Sequence, residues 1–178
     1  MIKKAHGFTI VELLIVIVVI AILSGVSIVA YTGMQNRAKN TARYNEVKQW
    51  ERLFALYKAE NGQFPAMSNG NYCLGFGFPS GPVGVNPRCR DYNSTTNGYL
   101  ESENAALMGA LATVGTLPTG DRKPSGGLIV GPWVSYVTGQ IHFNFIFDGS
   151  SASDCPAGTF SIWNNSLAVY CRWSVANT

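Results

Sequence analysis

Four cysteines, two histidines and a few carboxylates are the residues here whose chemistry could carry a function. Cys73, Cys89, Cys155 and Cys171 fall into two pairs of equal separation. Neither pair has C-x-x-C spacing, and no histidine or further cysteine lies near enough to suggest zinc. An even count therefore reads as disulfides made in an oxidising compartment. Four cysteines allow three pairings. The local one, Cys73–Cys89 and Cys155–Cys171, is preferred because each bond closes a turn-rich segment, which contributes roughly 3 kcal/mol by chain entropy. Of the histidines, His6 sits in a basic N-terminal stretch, which leaves His142 for any Ser-His-Asp scheme. His142 alternates with apolar neighbours and reads as a solvent-face strand residue. Asp148 and Asp154 could form a carboxylate pair, but Gly149-Ser150-Ser151 beside them marks a turn. "GFGFPSG" lacks the spacing of a dinucleotide or P-loop fingerprint, and the acidic residues do not gather into a calcium loop. No enzyme, no metal site and no cofactor is expected.

Glu12 raises a sharper question. It is the one charge in residues 10–31, a stretch long enough to span a bilayer as a helix. A charged carboxylate at the centre of a membrane helix costs roughly 2.5–3.5 kcal/mol on insertion scales. A bland reading makes Glu12 a helix-start carboxylate favoured by the N-terminal dipole. Ser24, Gly25, Val26 and Ser27 also loosely imitate a signal-peptide cleavage site, which would remove the whole segment. Lys3 and Lys4 supply two of the three net positive charges, so the remainder is too weakly basic for a nucleic-acid domain. Arg37, Lys39 and Arg43 form a basic cluster that suits a solvated helix face or a juxtamembrane group.

The elements that position these residues can be read from periodicity. From Phe8 to about Asn61 the pattern is one long helix, apolar first and amphipathic afterwards. Val47, Trp50, Phe54 and Tyr57 form a single stripe, while Glu46, Lys48, Glu51, Arg52 and Lys58 mostly lie off it. Asn61-Gly62 supplies a C-cap, and Pro65 prevents resumption. Glycine, proline, asparagine and serine then dominate as far as Pro124, with a short helix expected over 101–111 starting near Glu101 or Ser102. Tyr72, Phe76, Phe78, Tyr92 and Tyr99 would pack this long loop onto the body. The remainder is β. "PWVSYVTGQIHFNFIFDG" makes two strands around Gly139-Gln140, and "TFSIW" and "LAVYCRW" make a second hairpin around Asn164-Asn165-Ser166. Asn93-Ser94-Thr95 and Asn164-Asn165-Ser166 match the glycosylation sequon but read first as turns. The expected class is α+β: a long N-terminal helix packed by its stripe on an antiparallel sheet of about four strands.

Lys3-Lys4, Gly7, Phe8, Thr9 and Glu12 ahead of the apolar run closely resemble the type IV pilin family. The matching pattern is a short basic leader ending in glycine, followed by Phe-Thr-Ile-Val-Glu-Leu-Leu. That resemblance covers about a third of the chain, ending at "NGQFP". It implies a leader at 1–7, cut between Gly7 and Phe8 by a prepilin peptidase, and N-methylation of the new terminal Phe8. It also implies a transmembrane and filament-core helix over 8–33, with an amphipathic continuation over 34–62. A loop-rich disulfide-bonded region over 63–125 and a sheet with a C-terminal disulfide loop over 126–178 complete the division. Loosening of the helix near Ser24-Gly25 is a family habit, although the proline that many relatives carry there is missing.

The physics fits that role. In a helical stack, Glu12 of one subunit can face the Phe8 amine of a neighbour, and wrong axial offsets leave a buried carboxylate unpaired. Glu12 would then specify register. The resemblance implies a structural subunit, most simply a major pilin, which polymerises with copies of itself with the help of prepilin peptidase and the pilus assembly machinery. It would wait in the cytoplasmic membrane, head outside, and end in an extracellular filament serving adhesion, twitching motility or DNA uptake. A minor pilin or a type II secretion pseudopilin is the alternative within the class, although that family's major pseudopilins bind calcium. A membrane-anchored extracellular binding module is the alternative outside it. The charge bias alone, Lys3 and Lys4 before the span against Arg37, Lys39, Arg43 and Lys48 after it, would put the body in the cytoplasm. The cysteines and the leader outweigh that bias.

Overall fold

The computed structural model describes residues 9–78, 89, 103–120, 131–149, 151–164, 166 and 168–176. The chain divides into two compact units, Met1–Ala38 and Lys39–Thr178. Helix α1, Ile10–Asn61, contributes to both.

In the first unit every side chain described in α1 is exposed. This stretch is rich in Val and Ile, which are mediocre helix formers in water. In lipid the balance reverses, because only a helix or a closed barrel satisfies its own backbone. By length and composition α1 is able to cross a membrane. It runs unbroken through Ser24 and Gly25, and Ser27 Oγ donates back to the Leu23 carbonyl at 2.7 Å.

The second unit sets residues 39–61 of α1 against a five-stranded antiparallel sheet. Its strands are β1 (Gly70–Cys73), β2 (Trp133–Val137), β3 (Gln140–Asp148), β4 (Phe160–Asn164) and β5 (Ala168–Ala176), in the order β1-β2-β3-β5-β4. The stripe on α1 behaves as its spacing requires: Val47, Trp50 and Phe54 are buried, with Leu53 beside them and Tyr57 at the margin. Phe54 meets Phe143 edge-on at 5.1 Å, and Phe143 stacks on Trp173 at 5.3 Å. The helix stops where Gly62 takes φ +78 and its N–H bonds the Lys58 carbonyl at 2.8 Å.

Several details depart from the sequence reading. Among the described residues the sheet has five strands because β1 lies within the loop-rich region; its GNYC sequence has little strand propensity and is held by pairing with β2, Cys73 opposite Trp133. The short helix α2 is Ala105–Ala112, capped by Asn104, whose Oδ1 accepts the Leu107 N–H at 2.8 Å. Leu107, Met108 and Leu111 carry it into the main core. Glu46, placed off the stripe by periodicity, is buried; Trp50 Nε1 donates to it at 3.4 Å, and Gly120 lies against its carboxylate.

The far face of the sheet is half covered as well. Trp133, Ile146, Ala168 and Tyr170 form a second apolar cluster with Phe78 and the Cys73–Cys89 pair. Ile146 is therefore buried, and Asn144 is buried between Ser135 and Arg172, where strict alternation in β3 would leave both in water.

Candidate functional site

The N-terminal end of α1 is organised around two residues. Thr9 is the residue before the first helical turn, and Glu12 stands three positions on. Thr9 N–H and Thr9 Oγ–H both donate to Glu12 Oε2 at 2.8 Å, and Glu12 N–H donates to Thr9 Oγ1 at 3.2 Å. This is a reciprocal capping box of the T-x-x-E kind, which satisfies backbone N–H groups that the first turn leaves orphaned. The glutamate therefore has a local partner in the isolated chain. Its motif was legible as Thr9-x-x-Glu12 at the head of an apolar run, and Thr9 is the partner that reading Glu12 against lipid overlooks. Gly7 and Phe8, assigned to cleavage and methylation, lie outside the described residues.

Beyond the cap, Ile10, Leu13, Ile17, Ile20, Leu23 and Ile28 all project from the helix, each more than half exposed. A surface of this kind belongs in lipid or against other apolar helices, because water penalises it over its whole area.

The chemistry-bearing residues of the second unit have structural partners. Cys73 bonds Cys89, and Cys155 bonds Cys171. The first bond holds the end of β1 against the second apolar cluster; the second ties the segment after the 3-10 turn Ala152–Asp154 to the middle of β5. Asp154 accepts the Ser151 N–H at 2.9 Å, capping that turn. Asp148 pairs with Arg43 at 3.3 Å.

His142 faces outward from β3, with Nδ1 2.7 Å from Ser174 Oγ on β5. Partial burial, then the neighbouring Arg172 guanidinium, hold its imidazole below the usual value. Among the described residues no carboxylate completes a Ser-His-Asp triad with this pair, and no three His, Cys, Asp or Glu side chains come together as a metal site. A shallow apolar depression of about 140 Å³ is lined, among the described residues, by Gly75, Phe76, Leu117, Pro118, Thr119 and Gly120. The arrangement best developed for a task is therefore the capped apolar helix.

Comparison with known proteins points to the same end of the chain. Residues 2–28 match the prokaryotic N-terminal methylation motif. Over 99 residues, 56% of this chain, the sequence is 26% identical to the type II secretion system core protein G of Pseudomonas aeruginosa. The matched stretch spans 65% of that protein's length, a little under two thirds. No solved structure matches.

Proposed function

We propose that this chain, a pilin-like protein with a prokaryotic N-terminal methylation motif ahead of an α+β body, is the repeating structural subunit of a type IV pilus. The observation that carries the reading is the coincidence of that motif with an apolar helical stretch whose described side chains are exposed and which is headed by one carboxylate. Prepilin peptidase cuts between Gly7 and Phe8, and Phe8 is then N-methylated. The apolar part of α1 holds the subunit in the cytoplasmic membrane, with the sheet-bearing unit outside, and becomes the filament core when the assembly machinery extracts it.

Glu12 acts at that transfer. In the single chain its carboxylate is satisfied by Thr9. In a stack of helices it is offered to the Phe8 amine of an adjacent copy, so that one axial offset pairs both charges and others leave one buried and unpaired. Buried polar groups that fix register at some cost in stability are the best-attested use of such pairs.

Shear-released surface material from cells expressing wild type or Glu12→Ala tests this by electron microscopy and N-terminal mass spectrometry. Filaments built mainly of chains starting at methylated Phe8, and lost in the variant, support a major pilin. Processed chains that stay in the membrane whatever occupies position 12 would sink the proposal.

A second reading follows from the similarity to the type II secretion core protein: a pseudopilin that assembles a short filament inside a secretion machine. Deletion would then abolish export of secreted proteins and leave surface filaments intact.

A further inference from the structure

The outward face of the sheet carries a group of side chains that neither cap a helix nor fill a core. Arg172 on β5 lies in register between Asn144 on β3 and Phe160 on β4. Residues directly opposite in an antiparallel sheet share a face, so these three form one row. Arg172 Nε donates to Asn144 Oδ1 at 2.7 Å. Asn144 is itself fully buried, and its amide nitrogen donates to Ser135 Oγ at 2.9 Å and to the His142 carbonyl at 3.0 Å. Burying an amide in a sheet is costly unless every group on it is bonded. Here the bonded amide fixes one edge of a guanidinium.

The other edge is left for something else. Among the described residues Asn144 is the hydrogen-bond partner of Arg172, and no carboxylate meets its two terminal nitrogens. One residue along the same face from Asn144 and Arg172 are His142 and Ser174, bonded through Nδ1. Phe160 is 52% exposed and Trp163, paired with Tyr170, is 44% exposed, so the adjoining edge strand offers two bare rings.

We propose that this face binds an acidic polysaccharide, with a sugar carboxylate on the Arg172 guanidinium, ring hydroxyls on Ser174 and His142, and a sugar face against Phe160. A guanidinium meets a carboxylate through two parallel N–H bonds, a geometry that an immobilised fork favours. Among the described residues the face offers one guanidinium beside neutral hydrogen-bonding groups and rings, which suits a sugar acid that presents a carboxylate, hydroxyls and an apolar C–H face together. Nucleic acid draws its affinity from neutralising several phosphates at once, and among the described residues of this face Arg172 supplies one such contact. All the residues concerned lie within Lys39–Thr178, so the site stands or falls independently of filament assembly.

The test uses the full chain in detergent micelles and polygalacturonate as probe, with its fully methyl-esterified form and single-stranded DNA as comparators, all at one fixed salt concentration. Polygalacturonate should bind, and the ester and the DNA much less. Arg172→Ala and Arg172→Lys should each weaken binding about tenfold or more, the lysine because it loses the two-point geometry. Phe160→Ala should weaken it several-fold. Unchanged circular dichroism in these surface variants separates loss of the site from loss of the fold, and an Arg172 variant that does not fold is replaced by Phe160→Ala and Ser174→Ala for the same reading. Equal binding by the Arg172 or Phe160 variants, equal binding of the ester, tighter binding of DNA, or no binding of polygalacturonate would each overturn the proposal.

Discussion

Asn40 holds both backbone hydrogen-bonding groups of Asp148: its amide donates to the Asp148 carbonyl at 2.7 Å, and its Oδ1 accepts the Asp148 N–H at 2.9 Å. One side chain from α1 thus continues the hydrogen bonding of the last residue of β3. Arg43, one turn on, pairs with the Asp148 carboxylate at 3.3 Å. The stripe of Val47, Trp50 and Phe54 supplies adhesion without direction; this two-point clasp fixes where along the helix the strand end must sit. Asn40→Ala strands two part-buried backbone groups and should lower unfolding stability by about 1–3 kcal/mol. Thermal denaturation of the full chain in detergent, compared with exposed Glu60→Ala, measures it. An unshifted midpoint would show that water replaces the clasp.

The cap that Glu12 makes with Thr9 and its proposed role in subunit register separate experimentally. Glutamine at the third helical position also makes a capping box, so Glu12→Gln keeps the cap and removes the charge. Thr9→Val keeps the charge and removes the cap. Filament yield should collapse in Glu12→Gln and persist in Thr9→Val, with leader cleavage retained in both. The reverse pattern in electron micrographs would make Glu12 a helix-start residue and nothing more.

Gly120 is held to glycine by its neighbour. A Cβ there would land on the buried Glu46 carboxylate. Gly120→Ala should destabilise the fold by about 1–3 kcal/mol through overpacking. Combining it with Glu46→Ala should cost less than the two single changes added together, a coupling that a double-mutant cycle reads directly.

His142 should titrate below its ordinary value of 6.5, chiefly because of partial burial and secondarily because of Arg172. Its folded form binds protons less readily than its unfolded form. Its contribution to stability is therefore complete above 6.5, is lost as the pH falls below that value, and levels off below the folded pKa. Histidine NMR titration should show the depression, and Arg172→Gln should recover part of it. A His142 resonance titrating at or above 6.5 in the wild type would contradict the placement of the ring.

How much of this was legible depended on how local each cause is. The α1 stripe and the alternation of Ile141, Phe143, Phe145 and Phe147 are properties of single elements, and periodicity alone places these side chains in the core. Burial of Ile146 depends on Phe78 and the Cys73–Cys89 pair arriving over the far side of the sheet, and Asn144 is bonded there by Ser135 on β2 and Arg172 on β5. Burial of Glu46 depends on Gly120, more than seventy residues away in the chain. Strand β1 hid in a loop-like sequence because pairing with β2, rather than propensity, makes it a strand. At the helix start the capping signal was entirely local, in Thr9 and Glu12. The row Asn144, Arg172 and Phe160 exists only once the β3–β5–β4 register is known.

Strand β4 would have a consequence for molecules held side by side in a membrane, as proposed for this chain. It ends the sheet among the described strands, and Phe160, Ile162 and Trp163 all stand out from it. Two molecules diffusing in a plane with the same side up would meet edge to edge far more often than they would in free solution, and such an edge invites runaway strand pairing. The ladder between β4 and β5 slips between Ser161 and Trp163. A slip of that kind interrupts the straight template a second edge would need, which disfavours pairing of one sheet with the next when molecules crowd together.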